Sequence, residues 1–84
     1  MSTVQKLRRY VLETYLFTTD DKALANNDSF LDKGIIDSTG ILELVMFLEQ
    51  EFKVQVADEE LLPDNLDSIE RLARFIERKQ AAKS

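Results

Sequence analysis

The chain of 84 residues has no cysteine and no histidine, and each absence argues against a class of function. Without cysteine, neither a disulfide nor a thiolate metal site can form. Without histidine, the base that normally activates a serine nucleophile is missing, so we do not expect an esterase or a protease. The sequence therefore argues against a small hydrolase, and we predict a protein that is not an enzyme.

Long apolar runs are also missing from the sequence. No uninterrupted run of about 20 apolar residues occurs, so we predict no membrane span. The N-terminus mixes charges with its apolar residues and lacks a small-residue cleavage site, unlike a secretory signal. We expect a single domain over residues 1–84 in the cytoplasm, with a core at about residues 3–79 and a frayed tail at residues 80–84.

The formal net charge of −5 is unevenly distributed along the chain. Residues 37–60 carry seven acidic side chains against Lys53 alone, a net of −6, whereas the flanking segments are nearly neutral. Such a field repels nucleic-acid phosphates and attracts basic protein surfaces. We therefore expect protein partners with basic docking patches and no nucleic acid.

Apolar periodicity predicts an all-α four-helix bundle with three long helices and a short third helix. The first helix is predicted from Thr3 to Phe17, with Ser2 and Gln5 spaced as a capping box. A long loop over residues 18–37 follows. Its apolar side chains are expected to anchor it to the helices: Leu24, Phe30, Leu31, Ile35 and Ile36.

The remaining helices follow from their caps and apolar stripes. We predict the second at Ser38–Phe52, the short third at Asp58–Leu62 with Pro63 ending it, and the last from a capping box at Asp67–Glu70. Three stripes are expected to face the core: Val4, Leu7, Val11 and Tyr15; Ile41, Val45, Leu48 and Phe52; Ile69, Leu72, Ala73 and Ile76.

Two acidic segments have the appearance of cation sites. The segment Asp20–Leu31 has the length of a calcium loop, but Ala25 stands where glycine is needed and Leu31 where the bidentate carboxylate belongs. The acidic run Asp58–Glu60 is more typical of a solvated face. We predict no metal site.

Ser38 is predicted at the N-cap of the second helix, where serine commonly has a purely structural role. The alternative is that this serine carries a phosphodiester. The unpaired N–H groups and positive dipole end of a helix N-terminus favour a phosphate there. Both interpretations fit the local sequence.

The outer face of the second helix carries apolar residues that a simple surface helix would not have. We expect Leu42 and Met46 to be exposed in a docking patch rimmed by acidic residues. Phe47 is instead expected to pack beneath the long loop or the third helix.

Taken together, the segment "GIIDSTGILELVMFLEQEF" and its surrounding helices resemble an acyl carrier protein from about Val4 to Arg78. The family's central motif, glycine followed shortly by Asp-Ser, is matched by Gly34, Asp37 and Ser38. A second Asp-Ser pair ends at Ser68, but too few residues follow it for the downstream helices, so we predict that Ser68 is only a cap.

The resemblance implies a 4′-phosphopantetheine arm transferred from coenzyme A to Ser38 by a phosphopantetheinyl transferase. Its thiol would hold an acyl or aminoacyl group as a thioester, and Asp37 would help to engage the transferase. Other implied partners are an acyl- or aminoacyl-loading ligase and downstream acyl-processing enzymes. For the oligomeric state, a monomer is the simplest expectation. The implied docking surface consists of Thr39, Leu42, Glu43, Met46, Glu49 and Glu59.

The motif departs from carriers of fatty acid synthesis, in which leucine or methionine usually follows the serine. Here Thr39 and Gly40 follow it, a pattern closer to D-alanyl and other specialised stand-alone carriers. Gly40 also lowers helix propensity, so we expect a loosened attachment site. An unmodified, carrier-like acidic adaptor that only binds partners is the alternative function.

Overall fold

The computed structural model describes residues 2–83, and all regular structure in that range is helical. Four α-helices follow one another: α1 (Thr3–Thr14), α2 (Ser38–Phe52), α3 (Pro63–Leu66) and α4 (Ile69–Lys83). Two single 3₁₀ turns lie in the connections, at Asp21–Ala23 and Asp58–Glu60. The predicted all-α, four-helix architecture is thus confirmed.

Helix α1 begins as its sequence predicts and ends earlier. Ser2 and Gln5 form the expected capping box, each side chain accepting a backbone N–H from the other residue. The predicted end at Phe17 is wrong, because Phe17 has a left-handed backbone with φ +54°. The N–H of Thr18 instead bonds back to the carbonyl of Leu12, at 3.0 Å, and closes the helix end.

The core consists mainly of the predicted stripes. The predicted positions that are buried are Leu7, Val11, Val45, Leu48, Phe52, Ile69, Leu72, Ala73 and Ile76. Val4, Tyr15 and Ile41 are half-buried at its edge. Leu44 and Phe75, absent from the predicted stripes, are also fully buried. Helix α4 therefore contributes a broader apolar face than one narrow stripe, and it packs against both α1 and α3.

Most of the predicted loop anchors are buried, with one exception. Leu24, Phe30 and Ile36 lie in the core and Ile35 packs against it. Leu31 is exposed, so its prediction as an anchor is wrong. Leu31 instead lies at the surface, where it lines a cleft together with Ser38 at the start of α2.

Pro63 begins a helix rather than ending one. The predicted third helix at Asp58–Leu62 is replaced by the 3₁₀ turn Asp58–Glu60 and by α3, which has Pro63 as its first residue. Proline suits that position because its missing N–H would have no partner in the first turn and its φ is already helical. The short helix was therefore predicted about one turn too early.

The start of α4 also differs from the predicted capping box. Ser68 caps the helix, because its Oγ accepts the N–H of Arg71 at 3.2 Å, whereas Asp67 turns its carboxylate toward the loop. Ser68 is buried, in agreement with a purely capping role. The helix continues to Lys83, through most of the predicted frayed tail, and Ser84 lies outside the described residues.

No helix among residues 2–83 is long and apolar enough to cross a bilayer.

Candidate functional site

Ser38 is the first residue of α2, and Asp37, not Ser38, is the N-cap. The Asp37 carboxylate accepts the N–H of Gly40 at 2.8 Å, so the predicted capping role of Ser38 is wrong. Asp and Ser are comparably good caps, and here the residue one position earlier has the extended backbone that a cap requires. Within residues 2–83 no hydrogen-bond partner of the Ser38 hydroxyl is found, and Ser38 is exposed.

Gly40 is buried and packed closely, contrary to the expected loosened site. A Cβ at this position would lie 2.8 Å from Cγ2 of Ile36 and 3.3 Å from Cε1 of Tyr15. The absence of a side chain therefore lets α1 and the incoming loop approach the first turn of α2. Gly40 makes that turn more compact.

Tyr15 joins the end of α1 to the same turn. Its hydroxyl donates a hydrogen bond to the carbonyl of Gly40 at 3.0 Å. Burial, followed by the hydrogen bond with Tyr10, raises the pKa of the Tyr15 hydroxyl above its usual range and so favours the protonated, donating form. The apolar periodicity predicted Tyr15 only as a member of a core stripe. The one signal for this contact was a glycine in the first turn of a helix that otherwise lacks it.

An apolar cleft of about 260 Å³ opens beside Ser38. It lies between the start of α2 and the α3 region, with Ser38 at its edge. Its lining is mostly aliphatic: Leu31, Ile41, Leu42, Leu61, Leu62, Pro63 and Leu66, with Asp67 as a polar member. The attachment candidate thus adjoins a space in which an apolar chain would be removed from water.

The outer face of α2 presents an exposed ridge at helical spacing. Thr39, Leu42, Glu43 and Met46 are all exposed. Leu42 and Glu43 each lie three or four residues from both Thr39 and Met46, so the four side chains share one face of the helix. Leu42 is 57% exposed and Met46 is 59% exposed, so the predicted exposure of these two apolar residues is confirmed. Acidic and apolar side chains therefore alternate along one accessible face.

The other two predicted docking residues differ from each other. Glu59 is exposed in the turn Asp58–Glu60. Glu49 is half-buried, and its Oε2 accepts the N–H of Val56 at 3.1 Å, so it holds the segment that leaves α2. Glu49 therefore has a structural contact that the helical wheel did not indicate.

Phe47 packs as expected but against different elements. Its ring stacks on Tyr10 of α1, with ring centroids 3.8 Å apart and planes 10° apart. It also meets Phe52 edge-on. The expected cover by the loop or the third helix is wrong, because α1 lies over this side of α2.

Among residues 2–83, no group of three or more acidic side chains is placed to hold a metal ion. Glu60, the last member of the acidic turn, instead bonds Lys79 of α4 at 2.8 Å. This hydrogen bond, together with one from the N–H of Ala57, lowers the pKa of the Glu60 carboxyl.

Comparisons with known proteins agree with this arrangement. Residues 5–76 match the family model described as a phosphopantetheine attachment site. An acyl carrier protein of Buchnera aphidicola subsp. Schizaphis graminum is 33% identical over 79 residues, which cover 94% of this chain and 96% of the relative. A chloroplastic acyl carrier protein of Brassica napus is 33% identical over 81 residues, 96% of this chain and 58% of that protein.

A solved structure has the same fold. The solution NMR structure of a holo acyl carrier protein from Nitrosomonas europaea superposes with a TM-score of 0.77. The alignment covers 96% of this chain and 99% of that protein at 21% sequence identity. Helix order and architecture are therefore shared although four residues in five differ.

Proposed function

This chain belongs to the acyl carrier protein family, whose members carry acyl groups on covalently bound 4′-phosphopantetheine and present them to partner enzymes, and we propose that Ser38 is its attachment residue. The observation that carries the proposal is an exposed Ser38 hydroxyl with no hydrogen-bond partner among residues 2–83. Since Asp37 caps the helix, esterification of Ser38 would remove no cap. The protein is a carrier and not an enzyme.

The residues around Ser38 fit such a group. The start of a 15-residue helix favours a phosphodiester through its positive dipole end. The group supplies the thiol on which an acyl cargo is held, and a chain without cysteine supplies none of its own. Asp37 holds the first turn in place and is proposed to contact the transferase.

The cleft beside Ser38 supports an apolar acyl cargo. Its aliphatic walls offer no ion-pair partner for a charged amino group other than Asp67, whose carboxylate already accepts two hydrogen bonds. Burying about four methylene groups there would stabilise the loaded protein by roughly 3 kcal/mol. We therefore favour an acyl over an aminoacyl group.

The ridge on α2 is the proposed docking surface for the transferase, the loading ligase and downstream acyl-processing enzymes. The ridge contributes Thr39, Leu42, Glu43 and Met46, and Glu49 together with Glu59 of the turn Asp58–Glu60 completes the six residues assigned from the resemblance. Exposed apolar side chains rimmed by carboxylates suit a partner patch of the opposite charge. Glu43 is the best single test, because Glu49 also holds Val56.

Mass spectrometry tests the attachment. The purified chain is incubated with coenzyme A and a broad-specificity phosphopantetheinyl transferase, then digested. We expect the peptide containing Ser38 to gain one phosphopantetheine, Ser38→Ala to abolish the gain, and Ser68→Ala to retain it. A wild-type chain that folds and gains no mass would be an unmodified adaptor, and the assignment of Ser38 would be wrong.

Charge reversal tests the ridge. Glu43→Lys should slow loading by the transferase roughly three- to tenfold at low salt, because favourable charge steers association, and the difference should shrink at high salt. Glu77→Lys makes the same charge change on exposed α4 and serves as the control. Equal loading rates for the two variants at low salt would refute the docking role of Glu43.

A further inference from the structure

The carboxylate of Asp67 is buried and is satisfied by the long loop. Asp67 lies between α3 and α4 and is 8% exposed. One carboxylate oxygen accepts the hydroxyl of Ser29, and the other accepts the N–H of Leu31 at 3.0 Å. Its own carbonyl accepts the N–H of Phe30 at 2.8 Å. Among the side chains of residues 2–82 no ion pair with Asp67 is found, so these hydrogen bonds offset the burial of its carboxylate.

These contacts reach the cleft beside Ser38. Leu31 and Asp67 both line it, so the two hydrogen-bonded groups form part of one wall. Phe30 then accepts the N–H of Ile35 at 2.8 Å, which fixes the chain as it approaches α2. Asp67 is therefore linked through the loop to the position of Ser38.

The loop has both an apolar anchor and the polar contacts of Asp67. Phe30 is already fully buried and anchors the loop by apolar packing. Asp67 adds hydrogen bonds at Ser29 and Leu31, the two residues that flank Phe30. Of these two, Leu31 lines the cleft. The polar contacts thus define where Leu31 lies, a position that apolar burial does not fix.

We propose that Asp67 is a positioning residue that holds Leu31 as a wall of the cleft, so that an apolar acyl chain carried on Ser38 is shielded from water; this rests on the proposed function. The contacts of Asp67 with Ser29 and Leu31 are called the Asp67 latch below. When one charge-assisted hydrogen bond of the latch is lost, the conformation in which Leu31 has moved away from the cleft should become about tenfold more populated.

Two variants open the latch from opposite sides. Asp67→Asn retains an oxygen for the Leu31 N–H but removes the charged acceptor of the Ser29 hydroxyl, and Ser29→Ala removes that hydroxyl. Asp64→Asn is the matched control, because it deletes the same charge on α3 from a side chain that is 94% exposed. Hydrogen exchange of the Leu31 amide in the unloaded chain reports opening of the latch directly.

The decisive measurement is hydroxylamine cleavage of the thioester in chains loaded with acetyl or octanoyl phosphopantetheine. We expect both latch variants to cleave the octanoyl form about tenfold faster than wild type. The acetyl form should be unchanged, because its two carbons are too short to use the cleft. The control should match wild type with both cargoes.

Each other result overturns the proposal in a recognisable way. Equal acceleration of both cargoes would mean general destabilisation, and unchanged octanoyl cleavage with faster Leu31 exchange would mean a loop anchor without a role in shielding. A wild-type octanoyl form that is no better protected than the acetyl form would rule out the shielding itself. Failure to load Ser38, read from the peptide mass beforehand, would instead refute the proposed function and with it this inference.

Discussion

Replacing Gly40 with alanine should destabilise the protein although alanine is the better helix former. Propensity alone would stabilise α2 by about 1 kcal/mol. Against this, the new Cβ would stand 2.8 Å from Cγ2 of Ile36, closer than real Cβ contacts come. Ile36 is buried and β-branched, so its side chain has little freedom to move aside.

The balance of these two effects sets the expected magnitude. Overpacking of this kind costs about 1–3 kcal/mol, and displacement of Tyr15 would weaken its bond to the Gly40 carbonyl. The net loss for Gly40→Ala is therefore roughly 1 kcal/mol, or a fall in Tm of about 4–8 °C for a domain of this size.

Urea and thermal denaturation followed by circular dichroism measure this change. Thr39→Ala is the matched control, since it raises helix propensity at the neighbouring, exposed position without a clash. We expect Thr39→Ala to be neutral or slightly stabilising and Gly40→Ala to be destabilising. If Gly40→Ala stabilised the chain as much as its propensity predicts, the close-packing argument would be refuted and the glycine would indeed loosen the site.

Three further predictions concern backbone strain and titration. Gly34 has a left-handed backbone with φ +66° and open space around it. Gly34→Ala should therefore lower the free energy of unfolding in urea by about 1 kcal/mol, and Gly34→Asn should lower it less. Equal losses of stability in the two variants would contradict the strain argument. The raised pKa of Tyr15 stabilises the fold fully below the unfolded pKa of about 10, and this contribution is lost at higher pH. Tyr15→Phe should therefore reduce the fall of Tm with rising pH at alkaline pH. An unchanged dependence of Tm on pH would count against this role of Tyr15. The pKa of the Glu60 carboxyl is lowered from its ordinary value of 4.5, so this group stabilises the fold above pH 4.5, and the stabilisation is lost as pH falls through the folded pKa. Lys79→Ala should therefore weaken the fall in stability at acid pH. The same fall in the variant and the wild type would disprove the contact.

Local patterns predicted the helices whose signals lie within a few residues. The bounds of α2 and the Ser2–Gln5 capping box follow from periodicity and cap chemistry alone, and both agree with the structure. Pro63 was misplaced because proline suits the first turn of a helix as well as the residue after its end. Sequence spacing does not distinguish these two positions.

The sequence motif indicates the proposed attachment residue, but it does not indicate the residues that support it. Ser38 belongs to a contiguous motif, whereas the contact of Tyr15 with Gly40 spans 25 positions and that of Asp67 with Leu31 spans 36. Such pairs depend on how helices pack, and no periodic pattern encodes them. The same holds for Phe47, whose partner Tyr10 lies on another helix.

The separate roles of Asp37 as helix cap and Ser38 as proposed attachment residue have a consequence for the stability of the fold. Because the Asp37 carboxylate caps the first turn of α2 by itself, the proposed attachment of the arm to the Ser38 hydroxyl would break no hydrogen bond of the helix. The chain is therefore expected to have one fold before and after attachment of the arm, and the cargo would be exchanged at the thiol of the arm, away from the helix backbone.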